Sequence, residues 1–370
     1  TLFGAQPPKG QELDDHYFGT IRTRVSSFMK DLDEQLWRLG ILSKTKHNEG
    51  APCQHELAPI YTDVNTSCDD NQMIMLTMKK CAAKHNLVCL LHEKPFAGIS
   101  GSGKHNNWSL GTDTGKNLFS PGKTPYQNAR FLLFLAAFIK GVDEYQELLR
   151  CTVASAGNDH RLGANEAPPA IISIFLGDEL NAIIRSIVDG TNYVDPDKSL
   201  LRIGVDVLPP IRKDTTDRNR TSPLAFTGNK FEFRMVGSSQ SIAGPNTALN
   251  TIMAEELKQF ADILETAGNF DEALHELVAK TFTEHQRILF DGNGYSAEWP
   301  QEAARRGLSN LPSTAECLPT YILQKNIDLV MRHGIFTEAE FRARYSIYLE
   351  AYNKVIGIEA RTMVDMALHQ

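Results

Sequence analysis

At Gly244 the apolar pattern changes character, and that change limits the fold more than any other feature of the chain. From there onward the spacing is almost wholly helical and ends in a long helix starting at Thr337. Before it, helical stretches alternate with short segments of strand character. Apolar positions at Ile21, Val25, Phe28, Met29, Leu32, Leu36 and Leu39 predict a helix within residues 14–39, stopped at Gly40. A hairpin is expected around Lys44–Tyr61, turning at Gly50 and Pro52, followed by a helix over Asp69–Asn86 and a short apolar strand at Leu87–Glu93. Further on come a helix over Tyr126–Leu149, a loop at Ala156–Asn165, and strands at Leu200–Asp206 and Asn229–Met235. Strands and helices first, with a helical layer after, make an α+β fold.

Composition narrows the function classes. The chain has 370 residues, 42% of them apolar, and a formal net charge of −7. No basic stripe is present, which argues against a nucleic-acid surface. The longest apolar runs, Phe131–Ile139 and Ala167–Leu176, fall well short of the roughly 20 residues needed to cross a bilayer. The first residues lack the charged and apolar regions of a signal peptide. Six widely spread cysteines without a C-x-x-C pair read as reduced thiols, and a cytoplasmic protein is expected.

Five segments could carry chemistry. In Glu49-Gly-Ala-Pro-Cys-Gln-His-Glu56, a turn at Gly50–Pro52 would set the two carboxylates on neighbouring antiparallel strands. Converging carboxylates repel unless a cation lies between them, and a hard oxygen pair suits Mg2+ or Mn2+. Two solvated glutamates flanking a turn would give the same sequence. Three glycines within residues 98–103 describe a tight loop leading to His105. It lacks the G-x-x-x-x-G-K-[ST] spacing of a phosphate loop, so it is either a turn allowing close ligand approach, with His105 aimed at a metal, or structural. In Lys230-Phe-Glu-Phe-Arg234, period two sets Lys230, Glu232 and Arg234 on one face and the phenylalanines on the other. That charged face would line either a cavity or an exposed sheet with alternating ion pairs. Arg161 and Glu166 lie in a loop ending at Pro168. Arg218 and Arg220 offer guanidinium groups suited to carboxylate and phosphate, unless they are solvated loop charges.

Together and in this order these segments resemble glutamine synthetase, most closely the type III form, over essentially the whole chain. The most specific stretches are residues 94–110 (KPFAGISGSGKHNNWSL), 165–170 (NEAPPA), Lys230-Phe-Glu-Phe-Arg-Met235 and Asn293-Gly-Tyr-Ser-Ala-Glu-Trp-Pro300. The resemblance implies a curved, mostly antiparallel catalytic sheet in residues 1–243, carrying Glu49, Glu56, His105 and Glu232 and backed by helices. Residues 244–370 would form a helical region packed on it. It also implies ATP-dependent ligation of ammonia to L-glutamate through γ-glutamyl phosphate, with Mg2+ or Mn2+, in a ring-shaped homo-oligomer with active sites between subunits.

By position, Glu49 and Glu56 match ligands of the metal near glutamate. His105 and Glu232 match ligands of the metal at the nucleotide phosphates. Arg161 and Arg234 would grip substrate carboxylates, Gly101 would let backbone approach the amino end, and Arg220 would stabilise the transferring phosphoryl group. Lys230, Ser109 and Asn107 match nucleotide contacts. Glu166 matches the flap glutamate that shields the intermediate and helps deprotonate ammonium, and Glu49 would share in holding it. The family's E-x-E metal strand has no counterpart; Glu338-Ala-Glu340 sits at a helix start instead. The amino-terminal β-grasp region is also unmatched, as expected of a carboxy-terminal fragment. Ser100 replaces a frequent Asn, and Ala225 an arginine common in type I relatives. Two other functions fit the same pattern: a non-catalytic member acting in assembly, and a ligase joining glutamate to another amine.

Overall fold

The computed structural model describes residues 10–12, 15–164, 166–193, 200–201, 211–212 and 221–369. Helices α1 (Asp15–Phe18) and α2 (Thr23–Arg38) lead through Gly40, at φ +82°, into the hairpin β1 (Ser43–Asn48) and β2 (His55–Pro59). This hairpin pairs antiparallel with itself, His47 opposite Glu56 and Asn48 opposite His55. Asp63 then caps α3 (Val64–Lys84), its carboxylate accepting from the Thr66 amide. The expected hairpin and both early helices are present, although α3 starts ahead of its predicted Asp69.

A four-stranded sheet forms the centre, in the order β3 (Gly103–Trp108), β8 (Phe231–Gly237), β7 (Leu224–Phe226), β4 (Ile174–Phe175). β8 pairs antiparallel with both β3 and β7, while β4 and β7 are parallel. Two further short strands, β5 (Leu200–Leu201) and β6 (Ile211–Arg212), pair with each other. The expectation of one floor carrying all four metal-type residues needs correction. Glu56 and its hairpin form a separate two-stranded sheet, and only His105 and Glu232 lie on the central one.

The alternation in β8 decides which face is core. Phe231 and Phe233 are fully buried, and Phe231 stacks on Phe138 with ring centroids 3.7 Å apart. Phe138 belongs to α4 (Ala129–Glu144), the most apolar helix of the chain's first half. Burying one such ring stabilises the fold by about 1.5–3 kcal/mol. Helices α8 (Ala243–Glu265) and α9 (Phe270–His285) pack on α4, so the C-terminal helices extend the same core. Beyond α9 lie α10 (Trp299–Arg305), α11 (Thr314–Tyr321), α12 (Gln324–Arg332) and α13 (Glu338–Leu368). The long last helix begins with a capping box between Thr337 and Glu340, which is what the context of Glu338-Ala-Glu340 predicts.

Three other expectations differ. The helix over Tyr126–Leu149 is divided at Tyr145 into α4 and α5 (Gln146–Cys151), because the buried Gln146 side chain donates to the Asp143 carbonyl. Ala156–Asn165 is not all loop: α6 (Ala156–Arg161) forms there, capped by the Ser155 hydroxyl accepting from the Asn158 amide. Leu87–Glu93 is not a strand. Val88 and Leu90 point outward at 83% and 59% exposure, with no ladder partner among the described residues. Helix α7 (Asp178–Val188) closes the first half. No helix among the described residues is long and apolar enough to cross a membrane.

Candidate active site

The hairpin turn brings Glu49 and Glu56 together as their spacing predicts, and adds a residue the sequence reading missed. His47 Nε2 lies 2.9 Å from Glu49 Oε1 and 3.0 Å from Glu56 Oε2. His47 and Glu49 are two apart along one strand direction, and Glu56 is the cross-strand partner of His47, so all three share a face. The H-x-E spacing was the available signal. An imidazole bridging two carboxylates stands where a cation would stand, so this donor set fits a divalent metal.

On the central sheet, a β-bulge between Lys104 and Asn106 turns His105 out of the regular alternation. Its Nδ1 reaches Glu232 Oε1 at 3.2 Å, and Glu232 Oε2 accepts from Arg234 Nε at 2.8 Å. Burial opposes the Glu232 charge, but the His105 hydrogen bond and the neighbouring Arg234 guanidinium help overcome it. The carboxyl is held down at about 2. Asn107 is directly across from Glu232 on the same outward face. An imidazole paired with a firmly ionised carboxylate also suits a divalent cation.

The glycine loop links these two centres. Gln54 Nε2 donates to the Gly101 carbonyl at 2.7 Å, tying the hairpin to the loop. Ser100 Oγ donates to Glu166 Oε2 at 3.2 Å, tying the loop to the segment after α6. Glu166 is exposed and sits at φ +65°, a strained left-handed conformation for a residue with a side chain.

Other predicted residues are placed differently. Arg161 is 4% exposed, and its guanidinium donates to Asn158 Oδ1 and to the carbonyls of Arg234, Met235 and Val236. Burial pushes its pKa down to about 10, with Glu93 opposing. It acts here as a strut under β8 rather than as an open carboxylate grip. Gly101 correspondingly faces protein: a Cβ there would meet the Glu93 carbonyl at 2.5 Å and the Arg161 stem at 3.1 Å. Ser109 Oγ donates to the Asn229 carbonyl at 3.0 Å and to Asn117 Oδ1 at 3.1 Å, in the turn beside half-buried Lys230. Arg218 and Arg220 lie outside the described residues.

Glu93 is the other residue not foreseen. It is 3% exposed, and its Oε1 accepts from the Ser239 amide and hydroxyl at 2.9 and 2.6 Å. Added side chains on Gly157 or Gly237 would run into it.

The described residues form an α+β fold with two carboxylate–imidazole clusters tied to one another through a glycine loop. The glutamine synthetase catalytic domain model matches residues 6–185, and the glutamine synthetase C-terminal domain model matches residues 273–370. The chain is 52% identical over 369 residues to the type-3 glutamine synthetase of Dictyostelium discoideum, covering 99% of this chain and 50% of that protein. It is 52% identical over 382 residues to the glutamine synthetase of Butyrivibrio fibrisolvens, covering 99% and 52% respectively. The cryo-EM structure of Plasmodium falciparum glutamine synthetase superposes with a TM-score of 0.59 at 15% identity, over 91% of this chain and 61% of that one, a likeness of fold. The chain belongs to the glutamine synthetase family. It spans about half the length of the curated relatives it matches.

Proposed function

We propose that this chain is the catalytic portion of a glutamate–ammonia ligase, converting L-glutamate, ammonia and ATP into L-glutamine, ADP and phosphate. Family membership supports the reading, and the observation that carries it is the pair of carboxylate–imidazole centres joined through the glycine loop. Glu49 and Glu56 would hold one divalent cation, Mg2+ or Mn2+, and His105 with Glu232 a second. When bound, such ions neutralise charge on the transferring phosphoryl group and the substrate carboxylates.

The remaining steps fall to the chain's own groups. Arg234, already bonded to Glu232, orients the substrate carboxylate, and Lys230, Ser109 and Asn107 form the nucleotide side. A γ-carboxylate oxygen of glutamate attacks the terminal phosphorus of ATP, ADP leaves, and Arg220 balances the charge of that transfer. Glu166 and Glu49 take a proton from ammonium. The ammonia then attacks the acyl carbon, the C–N bond forms, the C–O bond to phosphate breaks, and phosphate leaves with the second proton that the new amide nitrogen gives up. The exposed strained loop of Glu166 suits a flap that closes over the acyl phosphate and excludes water. Exposed Ile347, Val355, Ile356, Ile358 and Met363 on α13 support burial of that helix in a homo-oligomer, for which a ring with active sites between subunits is the proposed form.

The test is product stoichiometry. Purified protein given ATP, Mg2+, L-glutamate and ammonium should release glutamine, ADP and phosphate in equal amounts. ADP release without glutamine, or no glutamate-dependent ADP release, would reject the assignment. In Glu166→Ala, hydroxylamine should still trap the acyl phosphate while glutamine formation falls; equal loss of both would remove the flap role.

A further inference from the structure

Helices α2 and α3 bring a second kind of donor set together, outside the residues assigned above. Cys81 lies in the last turn of α3 and His85 follows four residues on as its cap, so the two share one face. Opposite them on α2 is Asp31, whose Oδ2 accepts from His85 Nε2 at 3.0 Å and from Cys81 Sγ at 3.4 Å. All three ligand atoms lie within 4.8 Å of one another. In a tetrahedral zinc site, with bonds of about 2.3 Å to sulfur and about 2.0–2.2 Å to nitrogen and oxygen, sulfur and oxygen stand about 3.6 Å apart and nitrogen and oxygen about 3.4 Å apart. The observed spacings are within a few tenths of an ångström of those edges.

One feature of the surroundings favours a metal over a plain hydrogen-bonded cluster. The Gln35 amide nitrogen, four residues on from Asp31, is buried beside Asp31 and Cys81 with no hydrogen bond of good geometry. A metal-bound thiolate would accept from it where a thiol does so poorly. His85 is also held by an edge contact with the Phe28 ring, centroids 6.1 Å apart, and the Phe28 carbonyl accepts from Cys81 Sγ at 3.8 Å. The cluster is buried at Cys81 and open at Asp31 and His85, which leaves a side for entry and for a fourth, water ligand.

The geometry points to a site for a borderline-soft divalent cation of the zinc type, held by Cys81, His85 and Asp31 and distinct from the oxygen-rich centres that suit Mg2+. Binding displaces the thiol proton to solvent, and thiolate and carboxylate together balance the ion's charge. Lys84 adds the nearby positive charge the ion must tolerate. Burial pushes the free thiol up to about 11, which opposes a nucleophilic role for Cys81 in the same cluster. The ion would staple α2 to α3 across the small core of Leu32, Leu36, Ile41 and Ile74, against which Leu57 of the hairpin packs.

Cobalt(II) titration of the metal-free, reduced protein in excess Mg2+ is the test. One equivalent should raise a thiolate-to-cobalt charge-transfer band with intense tetrahedral visible bands, and Zn2+ should displace both. Cys81→Ser should abolish the charge-transfer band, and His85→Gln should weaken cobalt binding at least tenfold, each with an unchanged circular dichroism spectrum. Should Cys81→Ser fail to fold, the His85→Gln titration decides by itself. Absence of the band in folded wild-type protein, its persistence in Cys81→Ser, or unweakened binding in His85→Gln would overturn the proposal.

Discussion

Arg161 fills the space that a side chain on Gly103 would need, so a guanidinium of the protein itself shapes the glycine loop. The same guanidinium donates to three consecutive carbonyls of β8, at Arg234, Met235 and Val236. Gly103→Ala must therefore displace a buried cation from its acceptors. The expected cost is about 1–3 kcal/mol, as for other overpacked interiors. Urea unfolding should show a lower midpoint with an unchanged slope; a midpoint equal to wild type would mean that the strut yields freely.

Glu93 is the buried counter-charge of that arrangement, acting on both Arg161 and Lys104. Lys104 donates to the carbonyls of Gly237, Ser238 and Gln240, and burial pushes its pKa down to about 8. Glu93→Gln keeps the shape but removes the charge. Breaking a buried ion arrangement from one side typically costs about 3–5 kcal/mol, and the variant should lose that order of stability. Calorimetry reads it directly, and a loss under about 1 kcal/mol would show that the backbone acceptors alone suffice.

Local features were legible in the sequence because they depend on neighbours along the chain. Gly50 and Pro52 mark the hairpin turn, Phe231 and Phe233 mark the core face of β8, and Thr337 with Glu340 marks the start of α13. What could not be read depends on contacts across long separations. Leu87–Glu93 has the composition of a strand, but a strand needs a ladder partner and none of the described strands pairs with it. Arg161 looks like a ligand grip until β8 supplies its acceptors 73 to 75 residues away. His47 becomes significant only when the hairpin register sets it opposite Glu56. For the same reason Cys81 and His85 carry little meaning until α2 delivers Asp31.

The α4–α8 interface should make stability depend on pH. Glu256 on α8 is fully buried and paired with Lys140, but its Oε1 has no hydrogen-bond partner. Burial pushes its pKa from 4.5 up to about 7. Between those values the folded state holds a proton that the unfolded state has released. Its contribution is therefore complete below pH 4.5 and lost as pH rises through 7. A rise of about 2.5 pKa units corresponds to a change of roughly 3 kcal/mol. Compared with wild type across pH 4.5–7, Glu256→Gln should flatten this component of the decline; parallel curves for the two proteins would contradict it.

Glu232 is the position where structural and chemical demands separate most cleanly. Its carboxylate is ionised at any working pH, pairs with His105, and offsets the charge of buried Arg234. Glu232→Gln retains an oxygen for the Arg234 bond and a similar volume, so the fold should survive. Under the proposed metal role the lost charge would weaken the hold on a nucleotide-side cation, since even outer-shell changes cost about 10–100-fold in metal affinity or activity. ATP turnover at fixed Mg2+ should therefore fall by at least 100-fold in Glu232→Ala. In Glu232→Gln it should fall less and recover in part as Mg2+ is raised. Recovery on added Mg2+ is what a folding defect would not give, whereas unchanged Mg2+-dependent turnover in Glu232→Ala would remove this carboxylate from the site.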